Sequence, residues 1–307
     1  MKTLSLRSDL LLLITAAIWG FAFVAQRIGM DHMGPFTFNG IRFLLGATAL
    51  IPLIYLIKPK LPARLIPVEN PRRMMIIGGI STGVVLFIGA SLQQMGMVYT
   101  NAGNAGFITG LYIVIVPFLG IFLGQRTLAN TWAGAIIALA GLYLLSVKDD
   151  FSLDYGDLLI LISAFFWAGH VLLVGWLSPR LNAIDLSIWQ FLICGILSLT
   201  TALIVETISW QAILDTAIPL LYAGVMSTSV AFTLQVVAQR HAPPAHAAII
   251  LSLEGVFALI GGWLLLGEQM SDKGLWGCGL MLAGMLTSQL PWQKIRPSNR
   301  KQKTSAV

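Results

Sequence analysis

"HAAIILSLEGVFALIGGWLLLGEQM", residues 246–270, is an apolar run interrupted near its middle by one carboxylate, Glu254. A helix of about 20 consecutive apolar residues is long enough to cross the hydrocarbon of a bilayer. A charge at the centre of such a span costs about 2.5–3.5 kcal/mol on insertion scales. Glu254 is therefore either protonated and hydrogen-bonded to a neighbouring helix, or it faces a wet cavity where it contacts substrate or exchanges a proton. On a 3.6-residue period His246, Ile250, Phe257 and Gly261 share its face. What the rest of the chain builds around that face decides between the two.

The 307 residues are 57% hydrophobic and only 10% charged. Soluble domains carry about 25% charged residues, so lipid must replace water over much of this surface. A net charge of +6 would suit a nucleic acid, but the basic residues sit in short loops between apolar runs. There they read as topology signals, and no nucleic-acid partner is expected. Cys194 and Cys278 lie inside apolar runs without CxxC spacing, which makes them small packing residues rather than a disulfide or zinc pair. The start, "MKTLSLRSDLLLLITAAIWGFAFVA", has the basic-then-apolar order of a cleaved leader. Its apolar stretch is long for a leader, Trp19 interrupts it and similar runs follow, so it reads as the first span.

Ten runs are long enough to span: 9–28, 36–57, 73–95, 100–123, 128–147, 157–177, 185–206, 216–238, 245–266 and 273–291. Each must be helical, because open sheet edges and loops cannot face lipid. "KPKLPARLIPVENP" at 58–71, with four prolines, is a solvated loop. With the N-terminus inside, fifteen Lys and Arg fall on the inner side, and only Lys148 and Lys273 on the outer. That asymmetry predicts an all-α integral membrane protein with both termini cytoplasmic, set in a plasma (bacterial inner) membrane.

The chain also repeats itself. "LQQMGMVYTNAGNAGFI" from Leu92 matches "LQVVAQRHAPPAHAAII" from Leu234, a shift of 142. "FLGQRT" from Phe122 matches "LLGEQM" from Leu265, and Trp19 in "IWGFAFVAQ" matches Trp167 in "FWAGHVLLVG". The chain therefore divides into two five-helix halves, 9–147 and 157–291, with a basic cytoplasmic tail at 292–307. Because five is odd, the second half enters from the opposite side, giving the inverted repeat that many secondary transporters build around a midplane site.

These motifs resemble the drug/metabolite transporter superfamily, in its branch of EamA-domain permeases. The likeness covers about residues 9–290 and rests on "IWGFAFVAQRIG", "IRFLLGA" around Arg42, "TGLYIVIVPFLGIFLGQRT" and "LSLEGVFALIGGWLLLGEQM". The usual LGE ending is Leu123-Gly124-Gln125 in the first copy and is kept as Leu266-Gly267-Glu268 in the second. The usual proline after the midhelix Glu is Gly255, whereas Pro117 is retained in the first copy. The resemblance implies a central cavity walled by spans 1, 3, 4, 6, 8 and 9. It also implies a small-metabolite cargo, such as an amino acid or related compound, often moved outward.

Six residues are the candidates for substrate binding or proton coupling. Glu254 leads them, and the repeat places Tyr112 opposite it. Gln93 and Gln235 recur at matching positions, and an amide in lipid must bond either another helix or a cavity. His170 is a packing residue by default, Trp19 and Trp167 are packing or cavity-wall residues with equal weight, and the implied cavity draws Trp19 and His170 toward a site. Arg42, about two turns into the second span, reads as a side chain snorkelling to the outer interface in preference to binding substrate, and Arg27 should reach the same surface. No His, Cys or Asp cluster has metal-ligand spacing, and "GGISTG" at Gly78 lacks the lysine of a phosphate loop. No cofactor is expected, so a gradient must supply any driving force, with protons a candidate partner. A membrane-embedded enzyme or a channel is the alternative, but neither a catalytic cluster nor a ring of like charges stands in the spans. Monomer and homodimer both remain open.

Overall fold

A backbone amide facing lipid must find its partner inside its own segment. Among the described residues the chain meets that demand with helices and no strand. The structure is a computed structural model and describes residues 2–56, 66–125, 127–146, 155–267 and 272–290. In chain order the helices are α1 (Lys2–Met30), α2 (Pro35–Ala49), α3 (Ile51–Leu56), α4 (Pro71–Met97), α5 (Ala102–Gly110), α6 (Tyr112–Phe122) and α7 (Ala129–Ser146). The second half holds α8 (Tyr155–Leu177), α9 (Ala183–Val205), α10 (Trp210–Asp215), α11 (Ala217–Leu221), a π-helix (Tyr222–Phe232) and α12 (Thr233–Ala238). It ends with α13 (Pro244–Leu251), α14 (Glu254–Leu266) and α15 (Asp272–Gln289). Most of the expected junction between the halves, half of the loop at 58–71 and the tail at 292–307 lie outside the described residues.

Among the described residues, seven helices are long and apolar enough to cross a membrane. Three of the ten expected runs fall short of that measure. The second is divided at Leu50 into α2 and α3. The fifth is a shorter apolar helix, Ala129–Leu144, and the tenth carries Asp272, Lys273 and Gln289 at its ends. Large apolar residues such as Ile136, Leu203, Ile218 and Trp276 point outward and are exposed, as lipid-facing residues should be. The short helix α10 has no counterpart in the expected runs; Ser209 caps it by accepting from the Ala212 amide at 3.4 Å.

The fourth and ninth runs are each one rod with a kink at matching positions. Between α5 and α6, Leu111 keeps right-handed torsions (φ −59°, ψ −17°), and its amide bonds the Ile108 carbonyl three residues back at 3.2 Å. Between α13 and α14, the Leu253 amide bonds Ile250 in the same three-residue pattern, also at 3.2 Å. These tightened turns bend each rod without unwinding it. The residue just past the kink is Tyr112 in one half and Glu254 in the other. Both rods end on a glycine in the left-handed region, Gly124 (φ 72°) and Gly267 (φ 67°), which is why each copy of the "LG" motif carries glycine there.

Contacts between the halves come in exchangeable pairs. α2 packs on α9, and α7 on α15. α1 packs on α14 and the π-helix, and α8 correspondingly on α6 and α4. Glycines allow the closest approaches: a Cβ at Gly134 would lie 2.6 Å from the Gly284 carbonyl oxygen, and one at Gly141 would meet the backbone of Gly277 and Met281. At one end of the bundle, the Glu206 carboxylate after α9 accepts from the Phe36 and Thr37 amides, both at 2.8 Å, and from the Thr37 hydroxyl at 2.6 Å. A carboxylate there satisfies orphan amides of α2 and complements its dipole.

Candidate functional site

The π-helix is the least regular element and packs directly on α1. Its wider winding leaves carbonyl lone pairs open to second donors. The Trp19 indole donates from Nε1 to the Ser227 carbonyl at 3.2 Å, and Thr15 donates to the Ala231 carbonyl at 3.3 Å. Phe232 closes this segment and acts as an aromatic hub, its ring centroid 4.6 Å from Trp19, 6.0 Å from Trp167 and 5.8 Å from His170. His170 is turned by α9, where Gln190 Oε1 lies 2.8 Å from Nε2. Accepting there, Gln190 leaves the His170 Nδ1 with no partner among the described residues.

All six candidates line one cavity: Trp19 from α1, Gln93 from α4, Tyr112 from α6, His170 from α8, Gln235 from α12 and Glu254 from α14. The kinks bring Tyr112 and Glu254 close enough to interact electrostatically. The walls are drawn in, with about 30 Å³ open to the centre of a water-sized sphere, room for roughly two or three waters. Yet the interior is polar. Both amide atoms of Gln235, the Tyr112 and Thr109 hydroxyls, Glu254 Oε1 and Gln26 Oε1 are buried without a hydrogen-bond partner among the described residues. Among those residues, no group of His, Cys, Asp and Glu gathers as a metal site would require.

Two expectations are corrected here. Arg42 does not snorkel to the interface: it is 3% exposed and lines the cavity, adding the second run to the implied walls. Axial depth suggested an outer position, but the side chain points inward, held by Asn39. His246 does not extend the Glu254 face toward the cavity, since its Nε2 lies 2.9 Å from Asp9 Oδ1 on α1, and its Nδ1 is 3.4 Å from the Ser288 hydroxyl. The kink separates the two halves of that helix, which a constant 3.6-residue period cannot represent. Arg27 is at the surface as expected, paired with Asp31 at 2.7 Å. Sequence reading also missed Gln26, Thr109 and Ser227. Each is a small or common polar residue inside a run, a signal too frequent in packed membrane helices to select a site.

A model of the EamA-like transporter family matches residues 6–147 and 154–288. An uncharacterized transporter of Archaeoglobus fulgidus is 30% identical over 286 residues, 93% of this chain and 86% of the relative. The uncharacterized transporter YoaV of Bacillus subtilis is 21% identical over 90% of this chain and 94% of its own length. A crystal structure, titled only as that of a protein, superposes with a TM-score of 0.74 over 94% of this chain and 99% of its own, at 17% identity. That likeness concerns the fold.

Proposed function

The chain belongs to the EamA-like transporter family and is a multi-pass membrane protein, and from that premise we propose that it is a secondary transporter working by alternating access around the cavity beside Glu254. Its cargo is a small metabolite such as an amino acid or related compound, moved outward across the bacterial inner membrane. Glu254, Tyr112, His170, Gln93, Gln235 and Trp19 bind that cargo or couple it to protons. One observation carries this reading: several buried polar atoms with no hydrogen-bond partner among the described residues gather around one cavity. A buried polar atom left unpaired costs about 1–3 kcal/mol, so water or a ligand must serve these groups. Transporters gather substrate and ions near irregular helix segments, and Tyr112 and Glu254 each follow the kink of their rod.

In this reading ten spans form two inverted halves, 9–147 and 157–291, with both termini inside. The exchangeable contact pairs and the matched kinks support the two-fold relation. The basic asymmetry supports the orientation. Cysteines introduced at Ser152 and Ala63 should react with an impermeant thiol reagent from opposite sides of the membrane; reaction of both from outside intact cells overturns the topology.

The function is tested with purified protein in liposomes, following entry of each of the twenty labelled amino acids with and without an imposed pH gradient. Saturable, counterflow-competent movement of at least one, accelerated by the gradient, is the expected result. Movement that never saturates would point to a channel, and chemical conversion of the label to an enzyme. No movement of any of the twenty removes amino acids as the cargo.

A further inference from the structure

The second run places a cation inside the bundle with no ion pair among the described residues. Arg42 is 3% exposed and lines the same cavity as Glu254. Its Nε donates to Asn39 Oδ1 at 2.9 Å, and Asn39 is itself held by donating to the Ala90 carbonyl at 3.0 Å. The guanidinium lies over the Phe43 ring, 4.5 Å from its centroid. These contacts fix the plane of the group; among the described residues its outer edge, Nη1 and Nη2, has no acceptor and Arg42 forms no ion pair. An arginine held this way costs free energy in a membrane interior unless an anion meets it. A planar pair of N–H donors matches a carboxylate, which accepts two parallel bonds. Glu254, on α14, is the only acidic side chain lining the cavity among the described residues, and no ion pair joins it to Arg42.

The geometry points to a zwitterion site, in which Arg42 receives the carboxylate of the cargo, Glu254 faces its ammonium group, and Trp19, Trp167 and Phe232 contact the apolar remainder. This rests on the transport reading above and names the chemistry that reading leaves open. Arg42 is then the residue that separates an amino acid from the amine of the same shape, and Glu254 separates it from the acid of the same shape. Stacking on Phe43 and the bond to Asn39 hold the fork in place before the ligand arrives, which lowers the ordering cost of binding.

The test compares two sets of three compounds: leucine, 3-methylbutylamine and 4-methylpentanoate; and phenylalanine, 2-phenylethylamine and 3-phenylpropanoate. Binding is read from the thermal unfolding midpoint of the purified full chain against concentration of each compound. The parent should prefer an amino acid over both partial analogues by about tenfold or more. R42Q should bind the amino acid and the amine equally while keeping the preference over the acid, and R42K should recover part of the loss. E254Q should show the converse. Ratios within one variant do not depend on its yield or baseline stability. If R42Q weakens amino acid and amine by the same factor, Arg42 is a packing residue and the inference fails alone. A parent that binds no member of either set overturns the inference; the transport reading falls with it only if the twenty-amino-acid panel is also blank.

Discussion

Glu254→Gln should yield a folded protein that has lost gradient-coupled transport. The amide preserves the shape of the side chain, so the helix contacts around α14 survive. What it cannot do is gain and lose a proton. Glu254 is buried, follows the kink at the start of α14 and lines the cavity. Under the proposed coupling, its charge changes in step with what else enters the cavity. Glu254→Asp keeps the chemistry on a shorter stem and should retain part of the activity with a displaced pH optimum. The measurement is transport against pH in proteoliposomes for all three forms, normalised to folded protein. A Gln variant that matches the parent at every pH would reduce Glu254 to a packing residue.

Gly20→Ala should damage the fold more than its single methyl suggests. A Cβ at Gly20 would lie 2.7 Å from the Glu254 carbonyl oxygen and 2.8 Å from the Ala258 amide nitrogen, and it would also run into the Phe257 side chain. Two of those neighbours are backbone atoms, so no rotamer change makes room. α1 and α14 must separate, losing van der Waals packing that no hydrophobic effect replaces in lipid. Overpacking of this kind costs about 1–3 kcal/mol. The control is Gly279→Ala, because nothing lies within 4 Å of the added carbon. Thermal midpoints in detergent should fall for the first variant and hold or rise for the second, since alanine is the better helix former. Equal midpoints would show that α1 and α14 adjust freely.

Much of the site was legible because the sequence repeats. Gln93 with Gln235, and Tyr112 with Glu254, could be paired by the 142-residue shift alone, and each pair meets in the cavity. Arg42 was misplaced because counting turns from the end of a span gives depth and not direction. The kinks carried no signal in the hydropathy, and Leu111, Ser252 and Leu253 keep right-handed torsions through them. The π-helix was invisible for a related reason. Its hydrogen-bond register shifts by one residue without any change in hydropathy, and the side chains that use its carbonyls, Thr15 and Trp19, lie some 200 residues away. Three runs proved shorter or more polar than the seven strongest, because apolar composition alone does not report a break such as that at Leu50.

The two kinked rods are alike in backbone and unlike in the residue just past the bend, tyrosine in one and glutamate in the other. Two identical halves related by a two-fold axis would be degenerate: opening to one side or to the other would be the same conformation with the copies relabelled, and each would be occupied half the time. Unlike halves lift that degeneracy. In a chain that alternates access, the balance at rest is then set by a few mismatched positions. Each 1.4 kcal/mol of mismatch shifts it about tenfold. Under the proposed coupling, protonating Glu254 changes one side of that comparison and leaves Tyr112 on the other, so the residue that would carry the proton would also weight the choice of which face is open.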